Sequence, residues 1–371
     1  MTEESLIQRF MRYVRISSES GEEDMMCQTL LAELKELGLD PHVDKAGEAF
    51  GSTAGNIVCR IPGRISGEWL LLVAHMDTVK PGKNVTPSIK DGYIVSDGTT
   101  VLGGDDKSGI AIIMEAVTHI LHSGVPHRPV ELLFTVGEEL GLKGSAALDY
   151  QKLRSKEAIV LDSQGTVGDI KVYAPGKNKL HIAIHGRAAH AGACPEDGVD
   201  AIYAAACGVS KMRLLRIDDE TTANIGSFIA EGATNVVNNL VHIEAEVRSQ
   251  SIEKLDAQCA HMIRCIEDAA EENNATAECV VEASTKPYRI RQDHPLILEI
   301  DKLCRRFDLP TRVFGDGGGS DANNLIQHNI TAIALGCGMD KVHTIKETLC
   351  IREFYNAAQV IEKLLTVARA T

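Results

Sequence analysis

Five short groupings of His, Asp and Glu stand out because most of them directly follow an apolar run. His75 and Asp77 come after WLLLVA (69–74), Glu138 and Glu139 after VELLFTV (130–136), and Asp162 after AIVL (158–161). His343 lies a short loop beyond ITAIAL (330–335), and GGDDKSG at 103–109 brings Asp105 and Asp106 to the start of a helical pattern. Imidazole nitrogen and carboxylate oxygen together suit a borderline divalent cation such as zinc, and catalytic zinc sites keep one position for water. Taken singly, each grouping has an ordinary explanation. Asp105 or Asp106 would cap a helix, Glu138–Glu139 would form a solvated turn, Asp77 would be a turn acid, and His75 or His343 a satisfied polar residue. Their joint placement at strand ends carries the metal reading, because ligands in open α/β sheets bind beyond the carboxyl ends of strands.

The elements needed to gather these residues are visible in the apolar pattern. Residues 69–74, 130–136 and 158–161 are short, nearly continuous apolar runs, as expected of strands buried on both faces of a largely parallel sheet. Helical spacing runs through 3–16, 24–37 and 107–122, giving the βαβ alternation of a layered α/β domain. From residue 177 the texture changes. Leu180, Ile182 and Ile184 alternate with His181, Ala183 and His185, the pattern of a half-exposed antiparallel strand. A helix over 198–213, a strand over 240–248, a helix over 252–272 and a strand over 277–284 follow, read as a βαββαβ insert of about 110 residues. Beyond Pro287 come a helix at 295–307, the strand at 330–335 and a terminal helix at 352–369. The expected organisation is a first catalytic part at 1–176, an inserted domain at 177–287 and a second catalytic part at 288–371.

Composition narrows the class of function. The chain has 371 residues, about two domains at roughly 150 residues each. It carries 38 Lys+Arg against 52 Asp+Glu, a formal charge of −14, which argues against a broad nucleic-acid or polybasic membrane surface. At 44% hydrophobic and 24% charged residues it reads as an ordinary globular protein. The N-terminus lacks a secretory leader pattern, and no run approaches the roughly 20 apolar residues of a membrane helix. The 10 cysteines include no CxxC pair, so they are expected to be reduced in a cytoplasmic protein.

As a set, HMD at 75–77, GGDDKSG at 103–109, GEE at 137–139, LDS at 161–163 and HT at 343–344 resemble the zinc-site motifs of the dizinc peptidases and deacylases, in family order over nearly the whole chain. That family includes aminoacylase, glutamate carboxypeptidase, succinyl-diaminopimelate desuccinylase and peptidase T, and the likeness is strongest to peptidase T-like members. The resemblance implies an α/β catalytic domain, its mainly parallel sheet sandwiched by helices, interrupted by a ferredoxin-like α+β lid. It implies two divalent metal ions per subunit, zinc first, with cobalt or manganese as alternatives. His75, Asp105 and Asp162 would hold one ion, and Asp105 would bridge to a second completed by Glu139 and His343. Asp105 is preferred to Asp106 because the family's bridging Asp stands two before the Lys, here Lys107, and a cis Asp105–Asp106 peptide is expected. Two such ions lower the pKa of a water near the scissile amide. Glu138, beside a ligand but not one itself, would take that water's proton and pass it to the amine. Asp77 would hydrogen-bond the far nitrogen of His75 and fix its tautomer.

The resemblance also assigns residues of the insert. His190 in GRAAHAG is similar to a lid histidine that reaches the active site across a homodimer and stabilises the oxyanion. Asn235 and Arg248 match positions that hold a substrate carboxylate, for which a guanidinium is suited. The loop GDGGGSDANN (315–324) lacks the order of a phosphate-binding loop and is similar to a peptidase T loop of pattern Arg-Gly-Gly-Thr-Asp-Gly. Gly317 stands where that Arg would be, which leaves the backbone N–H groups of Gly318 and Gly319 as carboxylate donors. The leading expectation is hydrolysis of di- or tripeptides from the amino end. An N-acyl-amino-acid deacylase with the same centre, and a metal- or peptide-binding homologue without turnover, are the competing readings.

Overall fold

The computed structural model describes residues 1–367, so the last two residues of the anticipated terminal helix, 368 and 369, lie outside the described residues. The chain divides into two compact units. One comprises 1–172, 289–316 and 320–371, the other 173–288 with 317–319. The strands in chain order are β1 (His42–Val43), β2 (Ile57–Ile61), β3 (Leu70–His75), β4 (Ser88–Lys90), β5 (Tyr93–Val95), β6 (Val130–Thr135), β7 (Glu157–Gln164), β8 (Asp169–Ala174), β9 (Gly176–His185), β10 (Leu215–Arg216), β11 (Thr221–Ile229), β12 (Leu240–Ser249), β13 (Thr276–Thr285), β14 (Tyr288–Arg289), β15 (Arg312–Gly315), β16 (Thr331–Asp340) and β17 (Thr348–Cys350). The helices are α1 (Glu3–Val14), α2 (Asp24–Glu36), α3 (Gly104–Ser123), α4 (Lys143–Ala146), α5 (Ala201–Lys211), α6 (Ile252–Glu272), α7 (Pro295–Arg306), α8 (Ala322–Gln327) and α9 (Ile351–Thr366).

The first unit is built on a 12-stranded sheet whose main path runs β1-β2-β6-β3-β7-β16-β17-β5-β4. Its centre is parallel, with β3 paired to β6 and β7, and β7 to β16. Every residue of β3 and β6 is buried, which is why these strands read as continuous apolar runs and not as alternation. The flanks are antiparallel, as at β2–β6, β16–β17, β17–β5 and β5–β4. Glu131, the one charged residue of β6, is tolerated because Arg60 Nε (3.0 Å), the amides of Arg154 and Ser155 (2.8 Å each) and Ser155 Oγ (2.8 Å) all donate to it. Helix α3 is buried along most of its length. Its Gly109 is required, since a Cβ there would stand 2.3 Å from the carbonyl of Leu161 in β7.

The second unit holds a five-stranded antiparallel sheet in the order β10-β11-β12-β9-β13. Without the two-residue β10, that is the order 2-3-1-4 of a βαββαβ chain, the ferredoxin-like arrangement. The strand β9 alternates between buried and half-buried residues along its whole length. Its inward residues Leu180, Ile182 and Ile184 pack with Val241, Ile243, Met262 and Ile266 into one core under α5 and α6. The strand β11 had no distinct apolar run in the sequence: its register is set by pairing with β12 and is broken once, between Ile225 and Ser227.

Among the described residues no helix is long and apolar enough to cross a membrane. All ten cysteines are free, six of them buried, and Cys194 is half-buried.

Candidate metal centre

The polar residues are gathered at one end of the parallel strands. His75 is the last residue of β3, Asp77 lies two beyond it, Glu138 and Glu139 follow β6, and Asp162 falls inside β7. Asp105 opens α3 with φ −84° and ψ 102°, outside helical values, and the Asp105–Asp106 peptide is cis. His343 sits in the turn between β16 and β17 at φ +62°, a left-handed conformation that costs a non-glycine residue about 1–3 kcal/mol.

Three overlapping sets emerge: His75, Asp105 and Asp162; Asp105, Glu139 and His343; and His75, Glu138 and Glu139. Within each, the candidate ligand atoms lie within 4.8 Å of one another. Asp105 is shared by the first two. Its Oδ1 is 2.9 Å from His75 Nε2 and its Oδ2 is 3.1 Å from His343 Nε2. Asp106 turns away instead. Its Oδ2 accepts from the His75 amide at 3.2 Å and its Oδ1 from the Gly109 amide at 3.1 Å, so the capping reading describes Asp106.

Asp77 meets His75 chiefly through its backbone carbonyl, while its carboxylate serves other partners. The far nitrogen of His75, Nδ1, is 2.9 Å from the Asp77 backbone carbonyl and 3.4 Å from its carboxylate. With Nδ1–H donating there, Nε2 is the nitrogen that faces Asp105. The Asp77 carboxylate accepts from the amides of Glu138 (3.0 Å) and Glu139 (3.1 Å) and from Ser20 Oγ (2.7 Å). The third amide of that turn, Gly137, donates to Glu23 at 3.0 Å. Gly137 is fixed at φ +58°, and a Cβ there would meet the Phe50 ring at 2.6 Å.

The electrostatics of this cluster favour a cation. Burial opposes charge on His75, yet Asp105 and Asp77 raise its pKa well above the usual range. Pairing with Asp105 and Glu139 lifts His343 to about 10. Burial holds Asp162 well above the carboxylate range, with the charges of Asp105 and Glu139 adding to it. Burial likewise raises Glu138, opposed by His75 and reinforced by Asp162, Asp321 and Glu139. The protein chain thus retains protons on groups that metal ions would discharge. Glu139 Oε1 is buried and lies 2.8 Å from His343 Nε2. Two imidazoles and three convergent carboxylates fit divalent cations.

Further buried acids were given no role by the sequence, although Asp321 lies in the glycine loop at 315–324. Asp321 accepts from Thr135 Oγ1 at 2.6 Å and Ser145 Oγ at 2.5 Å. Glu347 accepts from the amides of Gly103 at 2.8 Å and Asp105 at 2.9 Å. The only sequence hint for Glu347 is its position four residues after His343, and Glu23 has none.

The residues assigned to the insert belong to the second unit. His190 is exposed, and its Nδ1 accepts from the amides of Gly192 (3.1 Å) and Ala193 (3.0 Å), which leaves Nε2–H as a free-facing donor. The Asn235 carbonyl accepts from the Ala191 amide at 2.9 Å, tying its loop to the His190 turn. Arg248 is engaged: Nε donates to Glu246 and Nη1 to the carbonyl of Gly317, both at 2.8 Å. Gly318 is half-buried and Gly319 exposed in the same short segment as Gly317.

Comparison with known proteins gives this geometry its context. A peptidase T of Vibrio cholerae serotype O1 is 25% identical over 407 residues, covering 97% of each chain. The crystal structure of aminopeptidase PepT from Bacillus cereus superposes with a TM-score of 0.90 at 38% identity, covering 99% of this chain and 98% of that one. A tripeptidase from Staphylococcus aureus gives a TM-score of 0.94 at 36% identity with the same coverage. Residues 71–367 match peptidase family M20/M25/M40, and the chain accordingly belongs to that family, as a peptidase T-like metallopeptidase.

Proposed function

We propose that the protein removes N-terminal residues from di- or tripeptides at a centre of two divalent cations, zinc first, with cobalt or manganese as alternatives. His75, Asp105 and Asp162 would hold one ion, and Asp105, Glu139 and His343 the other. The observation that carries this reading is the shared carboxylate, with one Asp105 oxygen 2.9 Å from His75 Nε2 and the other 3.1 Å from His343 Nε2. Similarity to the Bacillus cereus aminopeptidase and the Staphylococcus aureus tripeptidase supports peptides as the substrate.

Bound cations supply charge stabilisation for the carbonyl oxygen and a water of lowered pKa. The protein's own groups do the rest. Glu138 is buried, and its raised pKa suits a base that accepts the water's proton and returns it to the departing amine. Asp77 fixes Glu138 and Glu139 through their amides and His75 through its backbone carbonyl. His190, with its proton on Nε2, donates to the developing oxyanion, across a homodimer paired through the lid. Asn235, Arg248 and the amides of Gly318 and Gly319 grip the substrate carboxylate. Gly317 in place of an arginine loosens that grip and widens the range of peptide lengths. A cytoplasmic setting fits the ten free cysteines.

The test is a panel of dipeptides, tripeptides and N-acyl amino acids with the products identified. Release of the first residue from di- or tripeptides is expected. Cleavage confined to N-acyl amino acids would instead make the protein a deacylase. In the same assay Glu138→Ala should bind metal as the parent does while kcat falls roughly 10²–10⁴-fold; near-parental turnover by that variant would remove Glu138 as the base.

A further inference from the structure

Glu347 has no part in the assignments above, yet only 2% of its surface is exposed. A buried carboxylate is tolerated only when hydrogen-bonded, and both oxygens here are used. Oε2 accepts from the Gly103 amide at 2.8 Å and Oε1 from the Asp105 amide at 2.9 Å. These amides lie at the N-terminus of α3, where backbone donors lack helical partners and the helix dipole favours an anion. The approach is close: a Cβ on Gly104 would come 3.0 Å from Glu347 Oε1. Gly104 of GGDD therefore makes room for this carboxylate. On its other side Glu347 is tied to the His343 turn, since its own amide donates to the Thr344 carbonyl at 3.0 Å.

We propose that Glu347 is a positioning residue that sets the backbone of Asp105 against the His343 turn. One carboxylate then indexes two ligands of the same cation, Asp105 and His343, whose side chains meet at 3.1 Å. The inference rests on the metal reading given above. Asp105 has to present one oxygen to each side of the centre, so a small shift of its backbone degrades both contacts, and such supporting groups commonly change metal affinity or activity 10–100-fold.

The experiment titrates chelator-treated protein with Co²⁺ and Zn²⁺ by calorimetry and visible absorption. Glu347→Gln preserves length and one acceptor oxygen but turns an amide N–H₂ toward the second backbone donor. The expected result is a metal affinity lowered about 10–100-fold with an altered cobalt spectrum. The value of kcat should fall in step while KM for a tripeptide changes by less than about threefold, with the metal-free variant still folded by circular dichroism. Gly104→Ala pushes a methyl against Glu347 without altering charge, and it should give the same signature even if Glu347→Gln fails to fold. Parental affinity and spectrum in either folded variant overturns the positioning role and leaves the metal reading standing. Failure of the unsubstituted protein to bind metal overturns both.

Discussion

At the scale of single residues, Asp77 shows how much of the site is held from behind. Its carboxylate takes the two amides that present Glu138 and Glu139, and its carbonyl faces His75 Nδ1. Asp77→Asn would replace one accepting oxygen by a donor facing another donor. We expect metal affinity and kcat each to fall roughly 10–100-fold, with the protein still folded by circular dichroism; unchanged metal binding would show that the amides need no anion. The residues that converge on Asp105 were legible because most directly follow an apolar run, with His343 a short loop beyond one; the choice of Asp105 over Asp106 came from the family resemblance. The roles of Glu23, Asp321 and Glu347 were not legible, although Asp321 falls in the loop singled out at 315–324. Glu23 and Glu347 bind backbone amides and Asp321 binds side-chain hydroxyls, from segments 114 to 244 residues away, and nothing in a local pattern records such a partner.

Among the elements, the parallel centre of the sheet was readable and its edges were not. The strands β3 and β6 are buried on both faces and declare themselves as unbroken apolar runs. By contrast β4, β5 and β17 have three residues each, too few for a periodicity. The strand β11 is largely exposed or half-buried, so its existence follows from pairing with β12, not from its own composition. The contact of α3 with β7 is the element-level feature most exposed to test. A Cβ at Gly109 would lie 2.3 Å from the Leu161 carbonyl and 2.5 Å from Asp106 Oδ1. Gly109→Ala should therefore destabilise the fold by about 1–3 kcal/mol through overpacking, read as a lowered urea midpoint, and it should weaken metal binding by moving the start of α3. A stability equal to the parent's would mean that helix and strand separate more easily than the close packing implies.

For the whole molecule, the surplus of acids acquires a local meaning, because Asp105, Glu139 and Asp162 converge with Glu138 where divalent cations would discharge them. If the proposed lid-paired homodimer holds, mixing two inactive chains, His190→Ala and Glu138→Ala, should restore hydrolysis as subunits exchange, because one composite site in a mixed dimer would be intact. No recovery under conditions where exchange is measured would confine His190 to its own chain. Bound cations should also stabilise the folded chain by mass action. The most direct measurement of the central claim is the hydrolysis rate of a tripeptide by chelator-treated protein during stepwise return of Zn²⁺, Co²⁺ or Mn²⁺, with bound metal counted in parallel. The metal-free protein should be inactive, with activity returning as about two equivalents bind. Full peptide hydrolysis by protein shown to carry no metal would contradict it.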